Sequence, residues 1–250
     1  MSEKSDVTER LAELGALRGL RWGFLDAADR VLNDMPESAG YDATATGSAR
    51  HSLFRDRLDR VFSCEKYRVS DGERAAGLDI LHQELSSEAV KTLPQIVPGT
   101  ITRSNLNGSP GWTDGRVRLL IASAEHEQIH SIRWTERSET KQKVARQSLT
   151  PRVEPTILDP LPAEVLEALF ANSNRQLDMP TFVVAHSLNT ITGERELVLG
   201  RPRDNHDGGS AWLWDVDLLH GPDLEESRGP RPTGQAPHPD VADVEVRLRR

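Results

Sequence analysis

The segment Thr181 to Gly200 constrains the fold most. TFVVAHSL and ERELVLG are two apolar, β-branched runs joined by NTITG. Two such runs around a short Asn- and Gly-containing connection predict a β-hairpin. The chain ahead of it reads differently. Asp6 to Asp34 carries Val7, Leu11, Leu14, Leu17, Phe24, Ala28, Val31 and Leu32 at spacings of three and four, which is one face of an amphipathic helix. Gly15, Gly19 and Gly23 recur at every fourth position. Each costs about 1 kcal/mol against Ala in a helix, a cost that close packing against another helix of the chain would offset. Ser48 is placed to cap a second helix running to Cys64, with Leu53, Phe54, Leu58, Val61 and Phe62 as its stripe. The interleaved Arg and Asp residues of that helix read as a solvated face, and Cys64 as a semi-buried thiol. A third helix is expected from Asp71 to Leu93.

The character changes at Ile96. IVPGTITRSNLNGSPGWTDG is β-like and turn-rich, with Asn107-Gly108 and Pro110-Gly111 as turn dipeptides. Val117, Leu119 and Ile121 then alternate as in a strand. Pro151 to Pro162 reads as a linker, and LPAEVLEALFAN as a helix opened by Pro162. AWLWDVDLLH places Trp212, Trp214 and Val216 on one side of a further strand, and His186 falls in the first hairpin strand as a packed or edge residue. Strands and helices do not alternate regularly, so the expected class is α+β. A helical region spans 1–95. A mainly antiparallel β region with one or two helices spans 96–220, and a Pro/Gly-rich tail spans 221–250.

One motif carries recognised chemistry. His126-Glu127-Gln128-Ile129-His130 has two imidazoles four residues apart. On a helix these share a face and can reach one metal ion. Over these five residues the chain resembles the HExxH pattern of the zincin metallopeptidases. The resemblance implies His126 and His130 as zinc ligands, Glu127 as general base, and a third ligand among Glu164, Glu167 and His206. Arg133 and Glu136 stand where the longer metzincin pattern has Gly and His. Zinc chemistry here depends on 124–133 being helical, because in a strand the two His would lie roughly 13 Å apart. Ser123 as a cap and Glu125 and Glu127 in a first turn favour helix, whereas Ile129, Ile132, Trp134 and Thr135 favour strand.

A basic segment follows. Arg133, Arg137, Lys141, Lys143, Arg146 and Arg152 outnumber Glu136 and Glu139. They are candidates for phosphate or nucleic-acid contact, with Trp134 available to stack. Glu139-Thr-Lys141 with Asp114 matches the acidic-x-Lys arrangement of metal-dependent nucleases only if it lies on a core strand, and RSETKQK is too polar for one. The net charge of −8 argues against a general nucleic-acid coat. A single Cys excludes an intramolecular disulfide. MSEKSDVTERL lacks the apolar core of a signal peptide, and no apolar run reaches the roughly 18 residues of a membrane span. The expectation is a soluble cytoplasmic interaction or binding protein, adaptor-like, with a protein partner and no membrane. A zinc-dependent hydrolase built on HEQIH and a nucleic-acid-associated protein built on 133–152 are the alternatives.

Overall fold

The computed structural model describes residues 2–68, 81–147 and 177–221. Helices come first: α1 (Glu3–Glu13), α2 (Ala16–Asp34), α3 (Ala43–Val61) and the short α4 (Ser87–Thr92). The strands are β1 (Thr102–Arg103), β2 (Gly111–Thr113), β3 (Arg118–Ser123), β4 (Thr181–Leu188), β5 (Arg195–Pro202) and β6 (Trp212–Asp217). A short helix, α5 (Glu139–Ala145), lies between β3 and β4. The six strands form one sheet in chain order. Every pairing is antiparallel except β3–β4, which run parallel. The architecture is α+β, and β4 with β5 is the hairpin that the sequence predicts.

All eight residues of β4 are buried, because the sheet is covered on both faces. On one face Leu119, Ile121, Phe182, Val184, Leu197 and Leu199 pack with apolar residues of α1, α2 and α3. On the other, Leu120, Ala122, Val183, Ala185 and Val198 pack with Ile129, Ile132, Trp134 and Val144. The helical N-terminal region and the sheet therefore share one core.

The helix expected over Asp6–Asp34 is two helices. Gly15 breaks it with a φ of 73°, a left-handed conformation that Gly adopts without a Cβ clash. Gly19 and Gly23 serve close packing instead. A Cβ at Gly19 would lie 2.9 Å from Phe62 Cε1, and one at Gly23 would lie 3.3 Å from Arg57 Cβ. The second helix starts earlier than Ser48. Asp42 caps it, accepting from the Ala45 amide at 2.7 Å, and residues 43–47 supply an extra turn. Most of its charges are not solvated: Arg50, Arg57, Asp59 and Arg60 are buried and Asp56 partly so, while Arg55 is exposed. Arg57 bonds Asp26 and Asp56, and Arg60 bonds Asp56 at 3.0 Å. Asp59 accepts from Arg103 at 2.9 Å and from the Trp112 indole at 3.0 Å.

The end of the expected third helix is interrupted. Glu84 takes a φ of 62°, and Ser86 restarts the chain by capping α4. At β6 a bulge revises the placing of the tryptophans. Arg201 pairs with Trp214 and Pro202 with Trp212, so Leu213 is the extra residue. Trp212 and Trp214 consequently face opposite sides, Trp212 against Trp134 at 5.2 Å and Trp214 against Phe182 at 5.2 Å. The linker, the helix opened by Pro162 and the tail beyond Gly221 lie outside the described residues. Among the described residues, no helix is long and apolar enough to cross a membrane.

Candidate functional site

The HEQIH segment is neither helix nor strand. It leaves the end of β3 through a turn in which Glu127 has a φ of 64°, and a short 3-10 turn follows at Ile129–Ser131. A side chain at positive φ cannot continue a right-handed helix, so the two imidazoles do not stack. The segment is instead tied down by the hairpin. The Glu127 amide donates to the Glu196 carboxylate at 2.9 Å. His126 lies 3.4 Å from Glu196 and 3.5 Å from Glu194, while His130 lies 3.4 Å from Asp215 on β6. Glu127 is exposed. His206 neighbours Asp204 at 4.0 Å. Glu164 and Glu167 lie outside the described residues. Among the described residues no group of three His, Cys, Asp or Glu is placed to hold a metal ion.

The acidic-x-Lys pattern is divided as well. Glu139 and Lys141 sit at the start of α5 rather than on a strand, and Asp114 is paired with Arg10. Cys64 is buried beneath the Ile101 carbonyl, and burial pushes its thiol up to about 11.

Chemistry gathers elsewhere, at the carboxyl end of the parallel β3–β4 pair. Ser123 is the last residue of β3 and stands in register with His186 of β4. Side chains alternate along strands, so both face the helices, beneath the first half of α3. From there α3 presents Arg50 and His51. The segment that leaves β3 folds over the other side and contributes Gln128, Arg133 and Arg137. The result is a cleft of about 790 Å³. In parallel sheets, ligands characteristically occupy the space outside the carboxyl ends of strands.

Arg50, His51 and Ser123 line its floor, and His186 lies beneath them. His186 is fully buried, between the rings of Phe24 and Phe54 and stacked on His51 at 5.6 Å. The Arg50 Nε donates to His186 Nδ1 at 3.2 Å, and its Nη1 donates to the Leu188 carbonyl at 3.3 Å. Ser123 Oγ is 3.3 Å from His51 Nδ1 and 3.3 Å from His186 Nε2. Burial pulls the His51 imidazole down to about 4, helped by the positive charges of Lys141, Arg55 and Arg50. Burial also holds His186 well below its ordinary range, with Arg50, His51 and Lys141 adding to the effect. Both rings are therefore neutral at pH 7.

Two of the cations around them have no counter-ion among the described residues. Arg50 is 5% exposed and forms no ion pair among the described residues; burial alone lowers it to about 10. Lys141 is half-buried, pairs with no carboxylate among the described residues, and is lowered by burial and by Arg137. Buried cations are ordinarily paired, since taking a charge out of water costs several kcal/mol. Among the described residues, two cations without a carboxylate partner thus stand near two neutral imidazoles.

The basic segment is thus split by the fold. Arg133 and Arg137 line the cleft, and Lys141 lies close enough to its two imidazoles to act on them electrostatically. Lys143 points to solvent, and Arg146 pairs with Asp204 at 3.3 Å. Arg50, His51, Ser123 and His186 did not stand out in the sequence. Their one sequence signal is weak: an Arg-His pair on an apolar helix and a His inside an apolar strand.

Comparison of the chain with protein-family models, with curated proteins and with solved structures found no match.

Proposed function

We propose that this chain is a binding protein whose cleft takes a small ligand bearing a phosphate or a comparable dianion, and that it works in the cytoplasm, where such esters abound. The carrying observation is Arg50, a guanidinium buried at the cleft floor with no carboxylate beside it among the described residues. The surrounding groups support the same reading. Arg137 lines the same cleft and Lys141 acts on its two imidazoles from nearby, so the positive charge exceeds what one carboxylate would neutralise. Arginine also meets phosphate oxygens with paired N–H donors.

A small ligand is favoured over a nucleic-acid strand. The cations lie in a concavity rather than along a track, and the exposed Glu125 and Glu136 stand at its rim, Glu136 on Arg133 at 3.1 Å. Carboxylates so placed repel a long polyanion, whereas a compact ligand passes between them.

Calorimetric titration with inorganic phosphate, pyrophosphate and a nucleoside monophosphate tests the proposal. Saturable binding is expected. Arg50→Met should weaken it roughly tenfold to a hundredfold, the worth of one charge-assisted hydrogen bond. Equal binding by wild type and Arg50→Met, or no binding of any of the three at millimolar concentration, would remove it.

A further inference from the structure

The hydrogen-bond donors at the cleft floor can be counted, and the count singles out Ser123. A guanidinium only donates. Arg50 donates to His186 Nδ1, so that nitrogen holds a lone pair, and neutral His186 carries its proton on Nε2. The same Nε2–H lies 3.3 Å from Ser123 Oγ and 3.4 Å from His51 Nδ1. His51 Nδ1 is therefore approached by a donor, the His186 Nε2–H, whose direction the Arg50 contact fixes. It must hold a lone pair. The proton of Ser123 has one open acceptor nearby, His51 Nδ1 at 3.3 Å. A hydroxyl beside a neutral imidazole with a free lone pair, part-exposed in a concave site, is a nucleophile paired with a base, here a weak one because burial and the charges of Lys141, Arg55 and Arg50 disfavour the imidazolium.

We infer that Ser123 is a nucleophile that cleaves a carboxylic ester or thioester whose acid or alcohol part carries a phosphate, with His51 as its proton acceptor and His186 as a positioning residue held by Arg50. The inference rests on the reading of the cleft as an anion site: the phosphate lies against Arg50 and Arg137, and the reacting carbonyl over Ser123.

In the first step the Ser123 oxygen forms a bond to the carbonyl carbon and its proton passes to His51 Nδ1. The bond from that carbon to the alcohol oxygen or thiol sulfur then breaks, and the imidazolium returns the proton to the leaving group. Water repeats the sequence on the acyl-serine, releasing the acid and restoring the hydroxyl. The Ala124 amide cannot stabilise the oxyanion, since it donates to the His186 carbonyl at 2.9 Å. Arg133, the cation of the cleft lining not assigned to the phosphate, supplies that stabilisation instead. No carboxylate among the described residues accepts from His51, so the base lacks the third member of a triad. This suits the easier leaving group of an ester or thioester rather than an amine.

The test is labelling of the full chain with an alkyl fluorophosphonate, whose phosphorus is attacked by an activated serine with loss of fluoride. Intact mass and peptide mapping should place one phosphonyl group on Ser123. The label should vanish in Ser123→Ala and form at least about a hundredfold more slowly in His51→Gln. Inorganic phosphate should slow it in the wild type. His186→Gln should shift the pH profile of labelling, which a merely structural loss would not do. An unlabelled wild type, a label on another residue, or an unchanged rate in folded His51→Gln overturns the inference. The mapping of the wild type decides even if a variant fails to fold. Phosphate binding by the wild type, measured alongside, separates the two readings. Binding without labelling removes the nucleophile and leaves the anion site. Labelling that phosphate neither slows nor binds beside removes the anion site and, with it, the assigned substrate class.

Discussion

Arg50→Met separates a cation kept for a ligand from one kept for the fold. The side chain is 5% exposed. Burial lowers its guanidinium to about 10, against a free-chain value of roughly 12.5. At about 1.4 kcal/mol per tenfold change, holding the charge in the folded state costs on the order of 3 kcal/mol. Met removes that cost while keeping similar length and helix propensity. Against the gain stand two lost hydrogen bonds, to His186 Nδ1 and to the Leu188 carbonyl. An orphaned buried acceptor costs about 1–3 kcal/mol. Two such acceptors cost about 2–6 kcal/mol against the roughly 3 kcal/mol recovered, so the free protein should lose no more than about 3 kcal/mol. Breaking a buried ion pair would instead cost about 3–5 kcal/mol. Urea unfolding with and without phosphate reads both quantities. The wild type should gain stability with phosphate as a ligand bound only to the native state requires, and Arg50→Met should gain none. A variant destabilised by more than about 3 kcal/mol that phosphate still stabilises would refute the reasoning, because Arg50 would then be a structural cation.

Acid should destabilise the protein between about pH 6.5, where free His titrates, and about pH 4, where folded His51 does. Both cleft imidazoles are depressed in the fold, so on acidification the unfolded chain binds protons first and native stability falls through that window. Urea midpoints across it should flatten in a His51→Asn, His186→Asn variant, and an equally steep fall there would contradict the assignment. In ¹⁵N spectra at pH 7, His186 should show a protonated Nε2 and a bare Nδ1, a pattern lost in Arg50→Met. Gly19→Val should cost about 1–3 kcal/mol through overpacking, since even a Cβ there meets Phe62 at 2.9 Å. Gly47→Ala should gain roughly 0.5–1 kcal/mol, because nothing lies within 4 Å of that Cβ on α3; a loss in thermal denaturation would count against the packing described. Zinc added to the purified chain should not be retained stoichiometrically through His126 and His130. One zinc per chain, lost in the His126→Ala, His130→Ala variant, would restore the metallopeptidase reading.

Local patterns carried the secondary structure where one physical effect dominated. Alternation with β-branched residues is sufficient for β4 and β5, since a hairpin is closed by its own short connection. The stripe of α2 likewise needs only its own spacing. HEQIH shows the opposite case. Its five residues are compatible with helix, but Glu196 and Asp215, about seventy and ninety positions away in the chain, hold the segment in a turn. The charge run of α3 is similar. Arg57 and Arg60 resemble surface residues in any window, and only the arrival of Asp26 and Tyr67 beside Asp56 makes burial of that cluster affordable.

The sequence alone determined the α+β class, the placing of a helical region ahead of the strands and the presence of the β4–β5 hairpin, because these follow from periodicity within a few residues. Tertiary structure decided the site. Arg50 and His51 lie more than seventy residues from Ser123 and more than sixty further from His186, and no short-range pattern relates them. The parallel pairing that sets Ser123 beside His186, and the packing of α3 over that pair, bring them together. Burial then gives ordinary side chains an unpaired charge and two neutral imidazoles, properties that exist only once water has been excluded.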